Sequence, residues 1–443
     1  MRGIVGASLT PVEAVRFAAA FAGWVRGQAG VSGAPVVAVG RDSRPSGQAL
    51  AMAAASGLAA CGVEVVDLGI CTTPAVGVMV RKLGAWGGLV LTASHNPTPW
   101  NGIKPIRADG ASLPPDESRE LIAAYKGGDA GWVGAEAVGA VRRDDSADAT
   151  HVDAVLAGID VEMVKRAGLS VVVDSVCGAG GRSAAMLLDR LGVAADLRNT
   201  GPTGVFPHPP EPTEAHLGDL CQATRDSGAD VGFAQDPDAD RLAMVGPGGA
   251  YLGEECTLVA AALRVMGQGD VAVANLSTSR MIDDVAGAVG GQVVRSAVGE
   301  ASVALAMREH GAVIGGEGNG GVIWSRVGQI RDSLAGMALV LELMAASGRS
   351  LPELLAPYRR YAIVKDKVPA KESIRDRLEM SMSDVFVGGK LNISDGVRVD
   401  VERSWIHVRP SNTEPIYRLI AEAESRSDAQ ALIERSRQAL DLS

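Results

Sequence analysis

The stretch that decides the fold runs from Pro35 to Pro97: PVVAVGR (35–41), GQALAMAAASGLAA (47–60), VEVVDL (63–68), PAVGVMVRKL (74–83) and GLVLT (88–92), closing on ASHNP (93–97). Short β-branched runs take turns with longer apolar-periodic segments. That alternation predicts strand, helix, strand, helix, strand, the pattern of parallel sheets covered by helices. After a polar stretch at 142–149 the pattern restarts, with a strand at 169–174, a glycine turn at 178–181, a helix at 182–191 and a strand at 230–234. It restarts again after Gly246-Pro247-Gly248-Gly249, with strands at 271–275 and 293–296 and helices at 282–289 and 302–309. The end differs. Close-spaced strands at 397–401, 405–408 and 417–423 precede a helix at 428–440, an α+β arrangement. No strong sequence repeat links the units.

Composition narrows the function classes. The 443 residues are 47% hydrophobic and 21% charged, enough for several cores and three or four domains. A net charge of -10 without a dense Lys/Arg run removes the usual basis for nucleic-acid binding. The amino terminus shows no cationic segment followed by an apolar stretch, and nowhere do 18 apolar residues run together, so no membrane partner and a cytoplasmic enzyme are expected. Five scattered cysteines (Cys61, Cys71, Cys177, Cys221, Cys256) with no Cys-x-x-Cys suggest reduced, mostly buried thiols.

Four segments concentrate the chemistry. The first, Leu91-Thr92-Ala93-Ser94-His95-Asn96-Pro97, follows an apolar strand and leads into Trp100-Asn101-Gly102-Ile103-Lys104. A serine at a strand's carboxyl end lies where open α/β sheets present reactive groups, although from that segment alone the capping or turn serine is the stronger reading. No Gly-x-Ser-x-Gly elbow surrounds it, so hydrolase-type activation is not indicated. A serine that carries a phosphoryl group instead needs a cation beside it. The second segment, Asp236-Pro237-Asp238-Ala239-Asp240-Arg241, offers three carboxylates that converge on a hard divalent ion if the chain curls, and that repel one another without a cation. An EF-hand fails, because its sixth position would be Arg241 and its twelfth Pro247. An Asp-x-Asp phosphatase-like nucleophile and a solvated acidic turn remain as competitors, and Mg2+ is the ion that fits best.

The third segment, Ile314-Gly315-Gly316-Glu317-Gly318-Asn319-Gly320-Gly321, ends a strand with a carboxylate and an amide suited to vicinal sugar hydroxyls; a plain glycine turn reads as well. The fourth, His407 to Arg418, sets Arg409 and Arg418 around Ser411-Asn412-Thr413, a loop of hydroxyls, amide and backbone N–H groups that suits a phosphate dianion.

With these four segments in this order, the sequence resembles the α-D-phosphohexomutase family over essentially its whole length, closest to its archaeal-type phosphoglucosamine mutase and phosphomannomutase members. Arg2-Gly3-Ile4-Val5-Gly6, the segment from Gly40 to Gly47, Pro210-Glu211-Pro212 and Arg331-Asp332-Ser333 add to the likeness. The resemblance implies three similar mixed-sheet α/β domains plus a C-terminal α+β domain around a central cleft. The divisions expected are 1–148 with a phosphoserine loop, 149–248 with a metal-binding loop, 249–358 with a sugar-binding loop and 359–443 with a phosphate-binding loop. It further implies an intramolecular phosphotransferase that interconverts hexose 6-phosphate and hexose 1-phosphate, with a sugar bisphosphate as activator, acting as monomer or homodimer. By matching motif, Ser94 would carry the phosphoryl group, and Asp236, Asp238, Asp240 and a phosphoserine oxygen would bind Mg2+. Arg2 and Arg241 would contact the reacting phosphate, and Lys104 would do acid/base work. Glu317 and Asn319 would bind sugar hydroxyls, while Arg409, Ser411, Asn412, Thr413 and Arg418 would hold the distal phosphate. One departure stands out: many bacterial relatives carry serine and histidine where Asn319 and Gly321 stand, which leaves His95 as a second proton carrier or as a loop-ordering residue. The Glu-Gly-Asn-Gly-Gly loop resembles the phosphoglucosamine mutase branch, with phosphomannomutase or phosphoglucomutase as alternative. A non-catalytic sugar-phosphate sensor is a rival of another class, against which intact Ser94 and all three aspartates argue.

Overall fold

The computed structural model describes residues 1–28, 35–128, 130–358, 360–370, 374, 377–411 and 415–441, whose strands form four sheets. The first is six-stranded, from β1 (Arg2–Ile4), β2 (Val36–Arg41), β3 (Glu64–Ile70), β4 (Gly87–Leu91), β5 (Trp100–Arg107) and β6 (Val141–Arg143), in the order β1-β5-β4-β2-β3-β6. The second orders β7 (Ser170–Asp174), β8 (Ala194–Arg198), β9 (Val231–Gln235), β10 (Leu242–Gly246) and β11 (Ala250–Tyr251) as β11-β10-β9-β7-β8. The third orders β12 (Val271–Asn275), β13 (Gln292–Ser296), β14 (Ile314–Glu317) and β15 (Gly321–Trp324) as β13-β12-β14-β15.

These three sheets share one kernel. In each, two parallel pairings (β3-β2-β4, β8-β7-β9, β13-β12-β14) are followed by one antiparallel strand, β5, β10 or β15. Alternation alone predicts parallel sheets, so these returning strands are the difference. β5 hides in the sequence because Pro105 interrupts its apolar run. The proline is tolerated for a geometric reason. The N–H groups of Ile103 and Arg107 point outward to Met1 and Ala111, so the missing donor of Pro105 falls on the side that β1 no longer covers. The polar stretch at 142–149 is likewise no linker: it holds β6 and the start of the helix Ala147–Leu156.

The fourth sheet is wholly antiparallel, ordering β16 (Ala362–Pro369), β17 (Lys390–Asn392), β18 (Val397–Val401), β19 (Ser404–Pro410) and β20 (Ile416–Ala423) as β16-β20-β19-β18-β17. Its apolar core is separate, whereas one continuous core joins the second and third units and takes in Val78 of the first. Polar bonds attach the fourth unit: Arg398 donates to the Leu276 carbonyl at 2.6 Å, and the Arg280 N–H to Glu422 at 2.9 Å. All five cysteines are free thiols. Among the described residues, no helix is long and apolar enough to cross a membrane.

Candidate functional site

Each of the first three candidate loops is the turn from the last parallel strand into the antiparallel one: 92–99 between β4 and β5, 236–241 between β9 and β10, and 318–320 between β14 and β15. They therefore leave carboxyl ends of strands, where α/β sheets place ligands.

Ser94 is buried with φ +50°, a left-handed conformation that costs a residue with a Cβ on the order of 1–2 kcal/mol. Side chains remote in sequence hold it there. Thr92 Oγ1 accepts the Ser94 N–H at 2.9 Å and donates to Asp42 Oδ2 at 2.7 Å. Arg44, fully buried, pairs with Asp42 at 3.0 Å and spends its terminal nitrogens on four carbonyls: Ser94 and Asn96 at 2.6 Å each, Pro97 at 2.8 Å and Trp100 at 3.0 Å. The loop is thus wrapped around one guanidinium. In the sequence Arg44 stood only as a member of the supporting segment Gly40 to Gly47, with no role assigned to it.

The first two loops meet directly, since Ser94 Oγ donates to Asp236 Oδ2 at 2.7 Å. Asp236 Oδ1 in turn accepts the N–H groups of Asp240 and Arg241 at 3.1 and 3.2 Å, which curls the loop, with Ala239 at φ +54°. All three aspartates are buried and offer oxygens within 4.8 Å of one another. They are not bare. Lys104 Nζ reaches Asp238 at 2.7 Å and Asp240 at 3.1 Å, Thr73 donates to Asp238 at 2.6 Å, and Arg331 donates to Asp240 at 2.7 Å. The expected mutual repulsion is thereby offset by two cations from other segments. Burial and the carboxylates of Asp240 and Asp238 drive Asp236 well above the usual carboxylate range. Burial works the same way on Asp240, but Arg331, Lys104 and Arg241 outweigh it and hold its carboxyl far below that range. Burial opposes the charge of Lys104 as well, yet Asp238 and Asp240 hold its ammonium above its ordinary value. Among the described residues, one oxygen each of Asp238 and Asp240 is buried without any hydrogen-bond partner. Two orphaned carboxylate oxygens beside Asp236 are a donor set that fits a hard divalent cation.

Around this centre, Arg2 donates to Asn96 Oδ1 at 2.9 Å, and the Arg241 guanidinium lies 3.6 Å from Glu211 and 3.8 Å from Asp240. His95 Nδ1 stands 3.5 Å from Ser94 Oγ and Nε2 3.8 Å from Glu211. Burial, Arg241 and Arg2 push His95 down to about 3, so its imidazole is neutral at pH 7. Glu211, known from the sequence only as part of a supporting tripeptide, therefore sits between two groups of the site.

The third loop joins through Arg331, which bonds Glu317 as well as Asp240. Glu317 is buried, and Oε1 already accepts from Asn275 at 2.8 Å and the Gly299 N–H at 3.1 Å. Oε2, bonded by Arg331, keeps spare acceptor capacity. Asn319 folds back to accept the Gly321 N–H at 3.2 Å. In the fourth loop Arg409 is buried against Asp395 at 3.1 Å, with Nη2 lacking a hydrogen-bond partner among the described residues. Asp395 also accepts the Val298 N–H at 3.0 Å, and His407 meets Ser277 Oγ at 2.9 Å, so this loop is anchored to the third unit. Arg418 stands opposite Arg409 on the paired strand β20, and the Ser411 N–H donates to the Ile416 carbonyl at 2.8 Å. Asn412 and Thr413 lie outside the described residues.

Profiles of the phosphoglucomutase/phosphomannomutase domains match along the chain: alpha/beta/alpha domain I at 1–131, domain II at 149–249, domain III at 253–361 and the C-terminal domain at 362–439. A protein of Methanopyrus kandleri named "Probable phosphoglucosamine mutase" is 37% identical over 98% of this chain and 94% of its own length. A "Phosphoglucomutase/phosphomannomutase" of Thermococcus kodakarensis is 35% identical over 98% of this chain and 95% of its own. The crystal structure of a phosphoglucomutase/phosphomannomutase family protein from Burkholderia thailandensis superposes with a TM-score of 0.87 at 28% identity, covering 100% of this chain and 96% of that one. Shared sheet kernel, a buried serine bonded to an acidic triad, and matches over all four units together make this chain a member of the phosphoglucomutase/phosphomannomutase family, an enzyme of the phosphohexomutase class.

Proposed function

We propose that the enzyme interconverts hexose 6-phosphate and hexose 1-phosphate through phospho-Ser94 and a bisphosphorylated sugar, with glucosamine phosphate as its preferred substrate. The observation that carries this reading is the 2.7 Å bond from Ser94 Oγ to Asp236, which puts a hydroxyl inside a carboxylate cage with orphaned oxygens. Phospho-Ser94 gives its phosphoryl group to the free hydroxyl of the bound sugar phosphate. The bisphosphate turns end for end and returns its other phosphate to Ser94. A bisphosphorylated sugar added from outside would load Ser94 in the same way and so act as activator.

Asp236, Asp238 and Asp240 would hold Mg2+, which when bound would neutralise charge on the phosphoryl oxygens. Arg2 and Arg241 orient the moving group. Lys104, kept as an ammonium by its two aspartates, gives a proton to the departing Ser94 Oγ while the attacking sugar hydroxyl passes its own to the phosphoryl group it receives; on the return transfer Ser94 gives the proton back to Lys104 and the departing sugar oxygen takes one from the phosphoryl group it releases. Glu317 and Asn319 grip hydroxyls. Arg409, Ser411 and Arg418 take the phosphate that does not react, with the unpartnered Nη2 of Arg409 as its first donor.

Asp238→Asn is expected to weaken divalent-cation binding by about tenfold or more, a change of ~1.4 kcal/mol or above, since it removes one ionised ligand. It leaves Lys104 only Asp240, so no gain in stability of the metal-free protein should accompany it. Titrating Mg2+ against rate and against the thermal midpoint checks both, and an unchanged Mg2+ dependence would remove the metal assignment.

Turnover of glucosamine 6-phosphate, mannose 6-phosphate and glucose 6-phosphate side by side tests the function. Fastest turnover of the amino sugar is expected, with isomer formed and no net phosphate released. Preference for mannose or glucose phosphate would favour the second reading, which the 35% identical Thermococcus kodakarensis protein supports by its name. Net phosphate release would reject a mutase.

A further inference from the structure

Arg331 precedes the helix Ser333–Ser347 and is almost wholly buried. It bonds three carboxylates that come from three segments. Nη2 donates to Asp240 Oδ2 at 2.7 Å, Nη1 to Glu317 Oε2, and Nε and the backbone N–H both to Glu300 Oε2 at 3.1 Å. A buried guanidinium shared in this way fixes the angle between its partners, because its donors form a rigid planar fork. The bond to Asp240 uses Oδ2 and leaves Oδ1 as the orphaned oxygen.

The opposite wall has been cleared for it. A Cβ at Gly321 would lie 2.2 Å from Arg331 Cδ and 3.0 Å from Cγ, so the arginine stem fills the space where a side chain at 321 would stand. Ser333 completes the joint: its N–H donates to the Ala239 carbonyl at 3.2 Å, and its hydroxyl accepts from Gln235 at 2.8 Å. The segment 331–333 therefore touches the loop 236–241 at both Asp240 and Ala239.

We infer that Arg331 is a positioning residue that couples the third loop to the acidic loop, holding Glu317 in place for the sugar while competing with a divalent cation for Asp240. This rests on the reading of Asp236, Asp238 and Asp240 as the cation site and of Glu317 as a sugar contact. The two duties carry opposite signs. Removing the guanidinium takes a positive charge away from the cation site and strengthens cation binding. It also frees Glu317 from the bond that Arg331 makes to its Oε2 and weakens hold on the sugar. Loss of fold or of packing would weaken both.

The test compares wild type, Arg331→Met and Arg331→Lys, with Mn2+ as probe. Free Mn2+ is read by electron paramagnetic resonance, and KM and kcat are read for hexose phosphate at saturating metal. Arg331→Met should bind Mn2+ about threefold or more tightly, with KM raised about tenfold and kcat changed less. Arg331→Lys, which keeps the charge but lacks the planar fork, should raise KM while leaving Mn2+ affinity near wild type; it carries the test alone if the Met variant fails to fold. Weakening of both Mn2+ and substrate in these variants, or change in neither, would overturn the coupling while Mn2+ binding by wild type leaves the metal reading intact. Failure of wild type to bind Mn2+ would instead remove the metal reading, and the coupling with it.

Discussion

Ser94→Ala is expected to retain less than about a hundredth of the wild-type mutase rate, because covalent transfer through Oγ divides the reaction into two accessible steps. The fold should survive. The substitution deletes one oxygen whose partner, Asp236, keeps the N–H groups of Asp240 and Arg241. The frame of the loop, Thr92, Asp42 and Arg44, bonds the backbone of Ser94 rather than its hydroxyl. Intact-mass analysis should show a phosphoryl group on wild type that the variant cannot carry. Full activity in the variant would end the proposed mechanism.

Arg44→Met should be the most damaging substitution outside the acidic loop. It strands the buried Asp42 carboxylate without its partner and leaves the carbonyls of Ser94, Asn96, Pro97 and Trp100 without their shared donor. Breaking a buried charge pair from one side costs about 3–5 kcal/mol, enough to lower the first unfolding transition measurably in a multidomain chain. Adding Asp42→Asn should restore part of the loss, since it removes the uncompensated charge, although Thr92 keeps its partner only in altered form. Turnover should fall in both variants, because Ser94 at φ +50° depends on that frame. A wild-type unfolding curve for Arg44→Met would show that the loop is held by other means.

What the sequence made legible was local. The run 271–275, apolar and mostly buried, and the run 397–401, in which valine alternates with charged residues, read as strands and are strands with the same bounds, since each pattern is complete within its own segment. Chemistry-bearing residues at strand ends stood out in the same way, as Ser94 and the three aspartates did. Strands whose pattern depends on their surroundings were missed. β5 carries a proline that only the end of β1 makes tolerable, and β8 is exposed along its whole length, with no alternation to betray it. The common placement of three loops at one topological position was not legible either, because it emerges only once the antiparallel return strands are known.

Long-range pairing was the other gap. Aspartates at alternating positions suggest a cation, but nothing in their spacing tells that Lys104 and Arg331 already neutralise two of them from other segments. Arg44, Glu211 and Arg331 act across tens to hundreds of residues, and the sequence marked each only as part of a segment supporting the family likeness, with no role of its own. Glycine at 321 reads as a turn residue until the arginine stem lying over it is seen.

The most direct measurement follows the phosphoryl group itself. Enzyme is mixed with hexose phosphate whose phosphate oxygens carry oxygen-18, quenched within one turnover, and the peptide containing Ser94 is weighed. Transfer through this residue predicts heavy phosphate on Ser94 as the first isomer leaves, that isomer carrying the light phosphate Ser94 held at the start. Isomer formed at the full rate with Ser94 unlabelled would contradict it.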